Sequence, residues 1–204
     1  MTKYAKDVRT DFMKDNTDMD PRQKDILMSA WQAFSAYGFR KTSMDDIARG
    51  AGISRPALYL HYKNKVDIYR SLAQFYYDGA VLDFAEALAQ DGPVGEVLGE
   101  AFLAKSGEIV ASMLTSPHGH ELLDTKQTNA TDVAEAGEAR LAEILTNWLN
   151  DQAAAGRITL PAPAEDVARI SLASVKNLMK VADSHDGFVR DVRTFGRLVG
   201  DGLS

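Results

Sequence analysis

Residues 42–65 read TSMDDIARGAGISRPALYLHYKNK, and their pattern predicts two short helices about a tight turn, followed by the start of a third. Thr42 or Ser43 offers a side-chain oxygen to cap the first helix, and Asp46 stands where its carboxylate would complete a capping box. Gly52 is the candidate for the left-handed residue that turns the chain. Because a second capped helix follows this turn, the stretch has the pattern of a helix-turn-helix.

The second helix of this motif has two faces of different character. It begins after Ser54, whose hydroxyl can cap it. Leu58 and Tyr62 are four residues apart and share one face, which we expect to pack inward. Arg55 and Tyr59 share another face, and the arginine has the fork geometry that pairs with guanine or with a phosphate. This division predicts a helix held by the protein on one side and free to enter a DNA groove on the other.

Several residues around the free face have side chains suited to DNA. Small apolar side chains allow close approach and contact with a thymine methyl, tyrosine and histidine can bond to phosphate oxygens, and a lysine at the start of the next helix suits a phosphate. The predicted DNA-binding residues are Thr42, Ser43, Arg55, Pro56, Ala57, Tyr59, Leu60, His61 and Lys65. From the spacing alone, a solvated helical corner with ordinary charges is the alternative interpretation.

Residues 23–72 resemble the DNA-binding domain of the tetracycline-repressor (TetR) family. The family's Leu-Tyr-x-His-aromatic pattern and the Lys-x-Lys after it are present at Leu58, Tyr59, His61, Tyr62, Lys63 and Lys65. The family's lead-in to the motif is present at Phe34, Gly38, Phe39, Thr42 and Ser43. The resemblance implies a dimer joined by the last two helices of each subunit, a ligand pocket in the helical body, and a fourth helix that couples ligand occupancy to the separation of the two reading heads.

The composition narrows the class of protein. Alanine and leucine are abundant and long β-branched runs are scarce, which favours an all-α fold. The 204 residues contain no cysteine, no long apolar run and no apolar signal core at the charged N-terminus, so we expect a cytoplasmic protein. No nucleophile motif or phosphate loop occurs, and His118, His120 and Glu121 cannot all chelate from one helix. The sequence therefore predicts no enzyme, no catalytic residue, no metal site and no cofactor.

The net charge of −6 is unevenly distributed along the chain. Residues 1–72 carry 13 Lys and Arg against 9 Asp and Glu, whereas residues 73–204 carry 10 against 20. Because salt screens charges over about 8 Å at physiological ionic strength, the local excess of positive charge governs binding to phosphates. A basic head on an acidic body is therefore consistent with DNA as a partner.

The hydrophobic pattern divides the chain into three segments. Residues 1–19 predict a flexible N-terminal arm, residues 20–66 a three-helix helix-turn-helix domain, and residues 67–204 a larger ligand-binding and dimerisation domain, in an all-α fold of about nine helices. Gly38 is predicted to end the first helix in the left-handed conformation. After a long helix at about 64–90, helices are predicted at about 94–114, from 116, and at about 131–155, 164–184 and 189–203.

A ligand pocket and an apolar helix face are predicted in the segment 67–204. Residues that mix bulk, soft sulfur and an amide are candidates for the ligand pocket that the resemblance implies, although such residues are more often plain core. These candidates are Phe102, Met113, Trp148, Asn177 and Met179. The helix near 164–184 has one apolar face, formed by Val167, Ile170, Ser174, Leu178 and Val181.

The final two helices are the predicted dimer contact. Gly196 and Gly200 are four residues apart, and each costs about 1 kcal/mol inside a helix, so close approach of another helix is expected there. We assign that approach to a partner subunit, with an interface formed by Val192, Phe195, Gly196, Val199 and Gly200. The arginines opposite this stripe are either solvated or paired with acids of the partner; they are Arg190, Arg193 and Arg197.

These patterns predict a sequence-specific DNA-binding transcription regulator, a ligand-responsive repressor that binds a palindromic operator as a homodimer. Its partners would be the double-stranded operator, a second copy of the chain and a small-molecule effector, with no membrane. The alternative is an all-α small-molecule binding protein without DNA-dependent function.

Overall fold

The computed structural model describes residues 19–106, 116–122 and 129–203, and every regular element in these ranges is an α-helix. In chain order the helices are α1 Pro21–Tyr37, α2 Met44–Gly50, α3 Arg55–His61, α4 Lys65–Leu88, α5 Val94–Ala104, α6 Gly119–Leu122, α7 Thr131–Ala154, α8 Ala164–Val181 and α9 His185–Gly202. The predicted all-α class is confirmed. None of these helices is both long and apolar enough to cross a membrane. The predicted arm, apart from residue 19, and the end of the helix predicted at 94–114 lie outside the described residues.

The described residues form two compact units. The first contains residues 19–77, 116–122 and 129–135, and the second contains residues 78–106 and 136–203. Helices α4 and α7 each contribute residues to both units. The division at residue 66 into a DNA-binding and a ligand-binding domain stays a prediction.

The apolar faces of the first four helices make the core of the first unit. Its buried members include Ile26, Phe34, Ile47, Leu58, Ile68 and Leu72, joined by Leu122 and Ala130. Three aromatic rings, those of Phe34, Phe39 and Tyr69, lie with their centroids 5.3 to 5.9 Å apart. Burial of such large apolar side chains stabilises each by about 1.5–3 kcal/mol. This packing fixes the orientation of the short helices α2 and α3.

The caps of the short helices follow from their sequence. The Asp46 N–H donates to Ser43 Oγ at 3.2 Å and the Ser43 N–H donates to Asp46 Oδ2 at 3.0 Å, so the predicted capping box is present. The hydrogen bonds from Ser43 lower the pKa of the Asp46 carboxyl. Gly52 turns the chain with a φ of +67°, which L side chains rarely adopt. Gly38 differs from the prediction, because it combines a φ of +83° with an extended ψ of 154°.

Within the first unit, the start of α7 is tied to α4. Arg70 donates from both terminal nitrogens to the Asp132 carboxylate, at 2.5 and 2.6 Å, and from Nη1 to the Asn129 carbonyl at 2.7 Å. The hydrogen bond from Arg70 is the main cause that lowers the pKa of Asp132 to about 2. The neighbouring Tyr69 hydroxyl donates to the Leu122 carbonyl.

In the second unit, α5 and α9 cross through facing glycines. A Cβ placed on Gly196 would lie 2.6 Å from the Cα of Gly99, and one placed on Gly200 would lie 2.5 Å from the Cα of Gly95. The expected close approach of a helix to the last helix is therefore confirmed, but the approaching helix is α5 of the same chain. This corrects the assignment of Gly196 and Gly200 to a dimer interface.

Two more residues assigned to the dimer pack inside the chain. Val192 is fully buried, and the ring of Phe195 lies 5.9 Å from that of Phe102. Arg193 also finds its partner within the chain, since its Nε donates to a Glu100 oxygen at 2.8 Å. Four of the five α9 residues that the sequence assigns to a dimer interface therefore pack within the second unit.

Helix α8 carries two apolar stripes. The stripe that packs inside the chain consists of Ala164, Ala168, Ser171, Leu172 and Val175. The apolar face read from the sequence is a different one, and its large members Ile170 and Val181 are 55% and 63% exposed. Leu198 on α9 is 64% exposed, and Val199 beside it is half-buried. Ile170, Val181 and Leu198 are therefore open to solvent in the described part of the chain.

Candidate nucleic-acid interface

Helix α3 divides its side chains between the core and the surface. Leu58 is fully buried and Tyr62 is 8% exposed, and both pack into the core of the first unit. On the other side Arg55 is exposed, Tyr59 is 43% exposed and Leu60 is 87% exposed. An isobutyl group so open to solvent contributes nothing to the core, so its place on the helix is free to serve a contact with another molecule.

The Arg55 guanidinium is held at two points while it faces solvent. Its Nη1 donates to Asp45 Oδ2 at 3.2 Å, and its Nη2 lies 3.4 Å from the Tyr59 hydroxyl oxygen. The guanidinium carbon also lies 5.6 Å from the centre of the Tyr59 ring, within the range of a cation–π contact. The Tyr59 hydrogen bond, followed by the charge of Asp45, raises the pKa of Arg55. The group is therefore a fixed positive charge presented by a short, capped helix.

Five residues from the predicted set lie on the outward side of α3. Pro56 and His61 are exposed together with Arg55, Tyr59 and Leu60, and Ala57 is half-buried. The α3 cap is the predicted one, because the Ala57 N–H donates to Ser54 Oγ at 3.3 Å. Ser43 is exposed at the start of α2, where it caps that helix. The outward residues form what we call the reading face: Arg55, Pro56, Tyr59, Leu60 and His61.

Lys65 differs from its predicted role as a phosphate contact. Its ammonium donates to the carbonyls of Phe39, Arg40 and Thr42 at 2.8, 2.9 and 3.0 Å. It also lies 4.9 Å from the centre of the Phe39 ring. An ammonium has three N–H bonds, and all three are satisfied by the loop between α1 and α2. Lys65 is therefore a structural residue that ties the start of α4 to this loop.

Thr42 also differs from its predicted contact with DNA. The residue is 2% exposed, and its hydroxyl oxygen lies 2.8 Å from the Gly38 carbonyl oxygen and 3.1 Å from that of Ala33. A buried hydroxyl that donates to the end of α1 cannot reach a phosphate. The sequence allows either Thr42 or Ser43 to cap α2, and in the structure Ser43 is the capping residue.

Two charged residues of α2 that form ion pairs were missing from the predicted set. Asp45 on α2 pairs with Arg55, and Arg49, whose side chain is 78% exposed, lies 3.6 Å from Asp46. Asp45 and Arg55 are ten residues apart on opposite sides of a turn, a separation that corresponds to no helical period. Only the closure of the turn around Gly52 brings them together.

The residues predicted to bind a ligand have mixed positions. Phe102 is fully buried and its ring lies 6.2 Å from that of Phe84. The Trp148 indole donates to the Leu88 carbonyl at 2.8 Å, whereas Asn177 is exposed and Met179 is half-buried. Met113 lies outside the described residues. Their role in a ligand pocket stays a prediction, and no group of three His, Asp or Glu side chains suited to a metal occurs in the described ranges.

The second unit also buries a lysine that is not among the predicted site residues. Lys105 directly follows α5 and is 6% exposed, and burial lowers the pKa of its ammonium while the charge of Glu138 opposes that shift. Glu138 accepts a hydrogen bond from Lys176 at 3.2 Å. The adjacent Ser106 hydroxyl donates to the Phe102 carbonyl at 3.0 Å. Polar side chains are thus built into the interior of this unit beside one of the predicted ligand residues.

Helices α2 and α3, the turn between them and the reading face together form a helix-turn-helix motif. Its second helix is anchored by Leu58 and presents Arg55, Tyr59 and Leu60 outward, which is the arrangement of a recognition helix. Residues 26–72 match the family model described as "Bacterial regulatory proteins, tetR family". These residues, about a quarter of the chain, are the part that is similar to this family.

Curated relatives agree with this assignment. The chain is 35% identical over 69 residues to the HTH-type transcriptional activator FasR of Mycolicibacterium smegmatis, a stretch that covers 34% of this chain and 32% of FasR. It is 27% identical over 158 residues to the HTH-type transcriptional repressor AcnR of Corynebacterium jeikeium, covering 76% of this chain and 77% of AcnR. Both relatives are named as transcription regulators.

A solved structure shares the fold along nearly the whole chain. Salmonella enterica GusR superposes with a TM-score of 0.71 at 19% identity, and the match covers 92% of this chain and 100% of that one. At this identity the likeness is one of fold alone. In its match to FasR, this chain spans about a third of that relative's length.

Proposed function

We propose that this protein is a ligand-responsive transcription repressor that binds a palindromic operator as a homodimer. The observation that carries the proposal is the division of α3, in which Leu58 is fully buried while Arg55, Tyr59 and Leu60 face outward. A helix anchored on one side and open on the other can enter the major groove, where each base pair has a distinct pattern of donors, acceptors and methyl groups.

Each outward side chain suits a different part of the duplex. Arg55 pairs with the O6 and N7 atoms of a guanine, and Leu60 packs against a thymine methyl. Tyr59 and His61 bond to phosphate oxygens that flank the groove. The excess of Lys and Arg in residues 1–72 adds a sequence-independent attraction that falls as salt rises. Phosphate contacts position the helix, and the base contacts provide the sequence preference.

A second copy of the chain is proposed to cover the exposed stripe on α8 and α9. Ile170, Val181 and Leu198 are each more than half exposed, and apolar side chains of this size gain free energy when another surface removes them from water. A two-fold dimer would place two recognition helices in successive major grooves, about 34–36 Å apart. This is the geometry that a palindromic operator requires.

Repression and ligand response complete the proposal. AcnR, which aligns over 76% of this chain, is named a repressor. The effector is proposed to bind in the second unit, within the domain at residues 67–204, and to favour a conformation of the dimer that no longer fits the operator. A DNA-binding regulator of this kind acts in the cytoplasm.

The experiment that tests the proposal is selection of duplexes from a pool with a randomised central segment, followed by binding measurements at fixed salt. The wild type should enrich a two-fold symmetric sequence. Arg55→Ala should lose preference at one base pair in each half-site, at a cost of about 1–3 kcal/mol. Arg157→Ala is the matched control, because Arg157 is an exposed arginine of the second unit. If the wild type enriches no sequence, the protein is not a sequence-specific regulator and the small-molecule binding alternative is favoured.

A further inference from the structure

The carboxylate of Asp45 lies beside the guanidinium of the reading face, although it belongs to a different helix. Asp45 Oδ2 and Arg55 Nη1 are 3.2 Å apart, and both side chains are about half exposed, at 51% and 56%. The pair lies on the surface of the helix-turn-helix motif and not in its core. It is therefore present on the surface that would face DNA.

The backbone around the pair is fixed on both sides. Helix α2 is held at its start by the Ser43–Asp46 capping box, and Ile47, two residues after Asp45, is fully buried. The turn between α2 and α3 is closed by the hydrogen bond from the Ile53 N–H to the Ala48 carbonyl at 3.0 Å. Asp45 therefore holds a constant position relative to the start of α3.

The pair leaves Arg55 able to read a base. A guanidinium has five N–H bonds, of which one is directed to Asp45 and one to Tyr59. Three remain, and bidentate pairing with guanine requires two. The carboxylate can thus stay in place while the guanidinium contacts O6 and N7.

A carboxylate at this position has two opposite effects on DNA binding. It restricts the rotamers of Arg55, and a free arginine side chain loses up to about 2 kcal/mol of conformational entropy when it is ordered. Its negative charge also repels the phosphates of any duplex, whatever the sequence. The first effect favours the sequence with guanine in the right place and so increases the ratio between specific and non-specific binding, whereas the second lowers the affinity for every duplex, non-cognate DNA included, and leaves that ratio unchanged.

We infer that Asp45 is a positioning residue that orients Arg55 for one guanine and lowers affinity for non-cognate DNA. This inference rests on the proposed function and goes beyond it, because it assigns specificity to a residue outside the recognition helix. Asp45 needs no contact of its own with a base.

A double-mutant cycle on full-length protein tests the inference. Wild type, Asp45→Asn, Arg55→Ala and the double variant are each titrated with the selected duplex, with the same duplex carrying A·T in place of the base pair read by Arg55, and with an unrelated duplex. Asp45→Asn should lower the preference for G·C by about 3- to 10-fold, because it weakens the bidentate contact of Arg55 with guanine without removing it. It should also tighten binding to the unrelated duplex. In the Arg55→Ala background it should leave the base preference unchanged while still tightening binding to all duplexes.

Two results would overturn the inference. If Asp45→Asn keeps the wild-type base preference, or lowers it equally without Arg55, then Asp45 does not act through Arg55. Melting curves confirm that each variant is folded, and Asp45→Ser, which also suits the first turn of a helix, repeats the test if the asparagine variant is unstable. A wild type without any sequence preference would remove the proposed function together with the inference, whereas a wild type that reads sequence and an inert Asp45 would remove the inference alone.

Discussion

At the scale of single residues, two cations at either end of the recognition helix have different uses. Arg55 faces solvent, and three of its five N–H bonds remain after the two that are directed to Asp45 and Tyr59. Lys65 instead directs its ammonium to three carbonyls of the loop between α1 and α2. Those carbonyls leave the end of one helix and approach the start of another, where no helical hydrogen bond can satisfy them. Lys65 thus supports the turn on which the position of α2 depends.

We expect Lys65→Met to destabilise the protein by about 1–3 kcal/mol, since it leaves carbonyl oxygens without their charged donor. The measurement is urea unfolding monitored by circular dichroism. Lys63→Met is the matched control, because Lys63 is an exposed lysine two residues away, and it should change stability by less than about 0.5 kcal/mol. The salt dependence of DNA binding should be the same for Lys65→Met and wild type. A slope lower by about one would instead mean that Lys65 contacts a phosphate.

The two faces of α3 could be predicted from sequence, and the role of Lys65 could not. Leu58 and Tyr62 are four residues apart, so the helical period alone places them on the same side, opposite Arg55 and Tyr59. The acceptors of Lys65 are carbonyl oxygens 23 to 26 residues upstream. Backbone carbonyls carry no sequence signal, so a lysine at a helix start looks the same whether it faces a loop or a phosphate.

At the scale of secondary-structure elements, the crossing of α5 and α9 depends on residues without side chains. Gly196 and Gly200 face Gly99 and Gly95, and the sites where Cβ atoms would stand are occupied by backbone of the opposite helix. Glycine lowers helix propensity at these positions, but it allows the two backbones to lie close together. We therefore expect a side chain placed there to destabilise the protein by more than the gain in helix propensity stabilises it.

Gly196→Ala should destabilise the protein by about 1–3 kcal/mol, because the new Cβ would lie 2.6 Å from backbone that cannot move as a side chain can. Gly79→Ala is the matched control in α4, where a Cβ meets nothing within 4 Å. That substitution should stabilise the protein by about 0.5–1 kcal/mol through helix propensity. Thermal and urea unfolding of both variants measure the difference. Equal stabilisation by both would show that the α5–α9 crossing is loose.

The tie between α4 and α7 predicts a dependence on pH. Arg70 lowers the pKa of Asp132 to about 2, below its ordinary value of 3.8. A carboxyl with a lowered pKa in the folded state stabilises the protein above its unfolded pKa, and this contribution disappears as pH falls from about 4 to about 2. Asp132→Asn removes the titrating group, so its loss of stability between pH 7 and pH 3 should be smaller than that of wild type. Asp183→Asn, at another exposed carboxylate, should behave as wild type does.

The pairing of elements was only partly predictable. The spacing of Gly196 and Gly200 indicates a close helix neighbour but not which one, since α5 is about a hundred residues away in the sequence. The same holds for α8, where the stripe of large apolar residues is exposed and a stripe of smaller ones, such as Ala168 and Val175, packs inward. Periodicity identifies an apolar face of a helix. Which element packs against that face depends on the rest of the chain or on another chain.

At the scale of the whole molecule, charge and apolar surface are separated along the sequence. The positive excess lies in residues 1–72, and the exposed apolar residues of α8 and α9 lie in an acidic segment. Acidic surroundings repel DNA from the part of the chain that we propose to meet a second copy. The separation allows one protein to bind a polyanion and another copy of itself through different surfaces.

Ile170→Glu should weaken the dimer by at least about tenfold, or about 1.4 kcal/mol, because it places a charge in the proposed contact. Analytical ultracentrifugation across a concentration series measures the change, and operator affinity should fall with it. Leu82→Glu is the control, since Leu82 is a 49% exposed leucine on α4. A dimer of unchanged strength would place the contact between subunits elsewhere.

The outward residues of α3 are absent from the core, and this has a consequence for engineering. Because Arg55, Tyr59 and Leu60 contribute little to folding, they can be exchanged for other side chains with the scaffold intact, which makes the motif a candidate for retargeting to new promoters. If only the residues of α3 are exchanged, Asp45 remains in place beside a new residue at position 55 that does not pair with it. Libraries that vary Asp45 together with the helix should therefore yield selective variants more often than libraries that vary the helix alone.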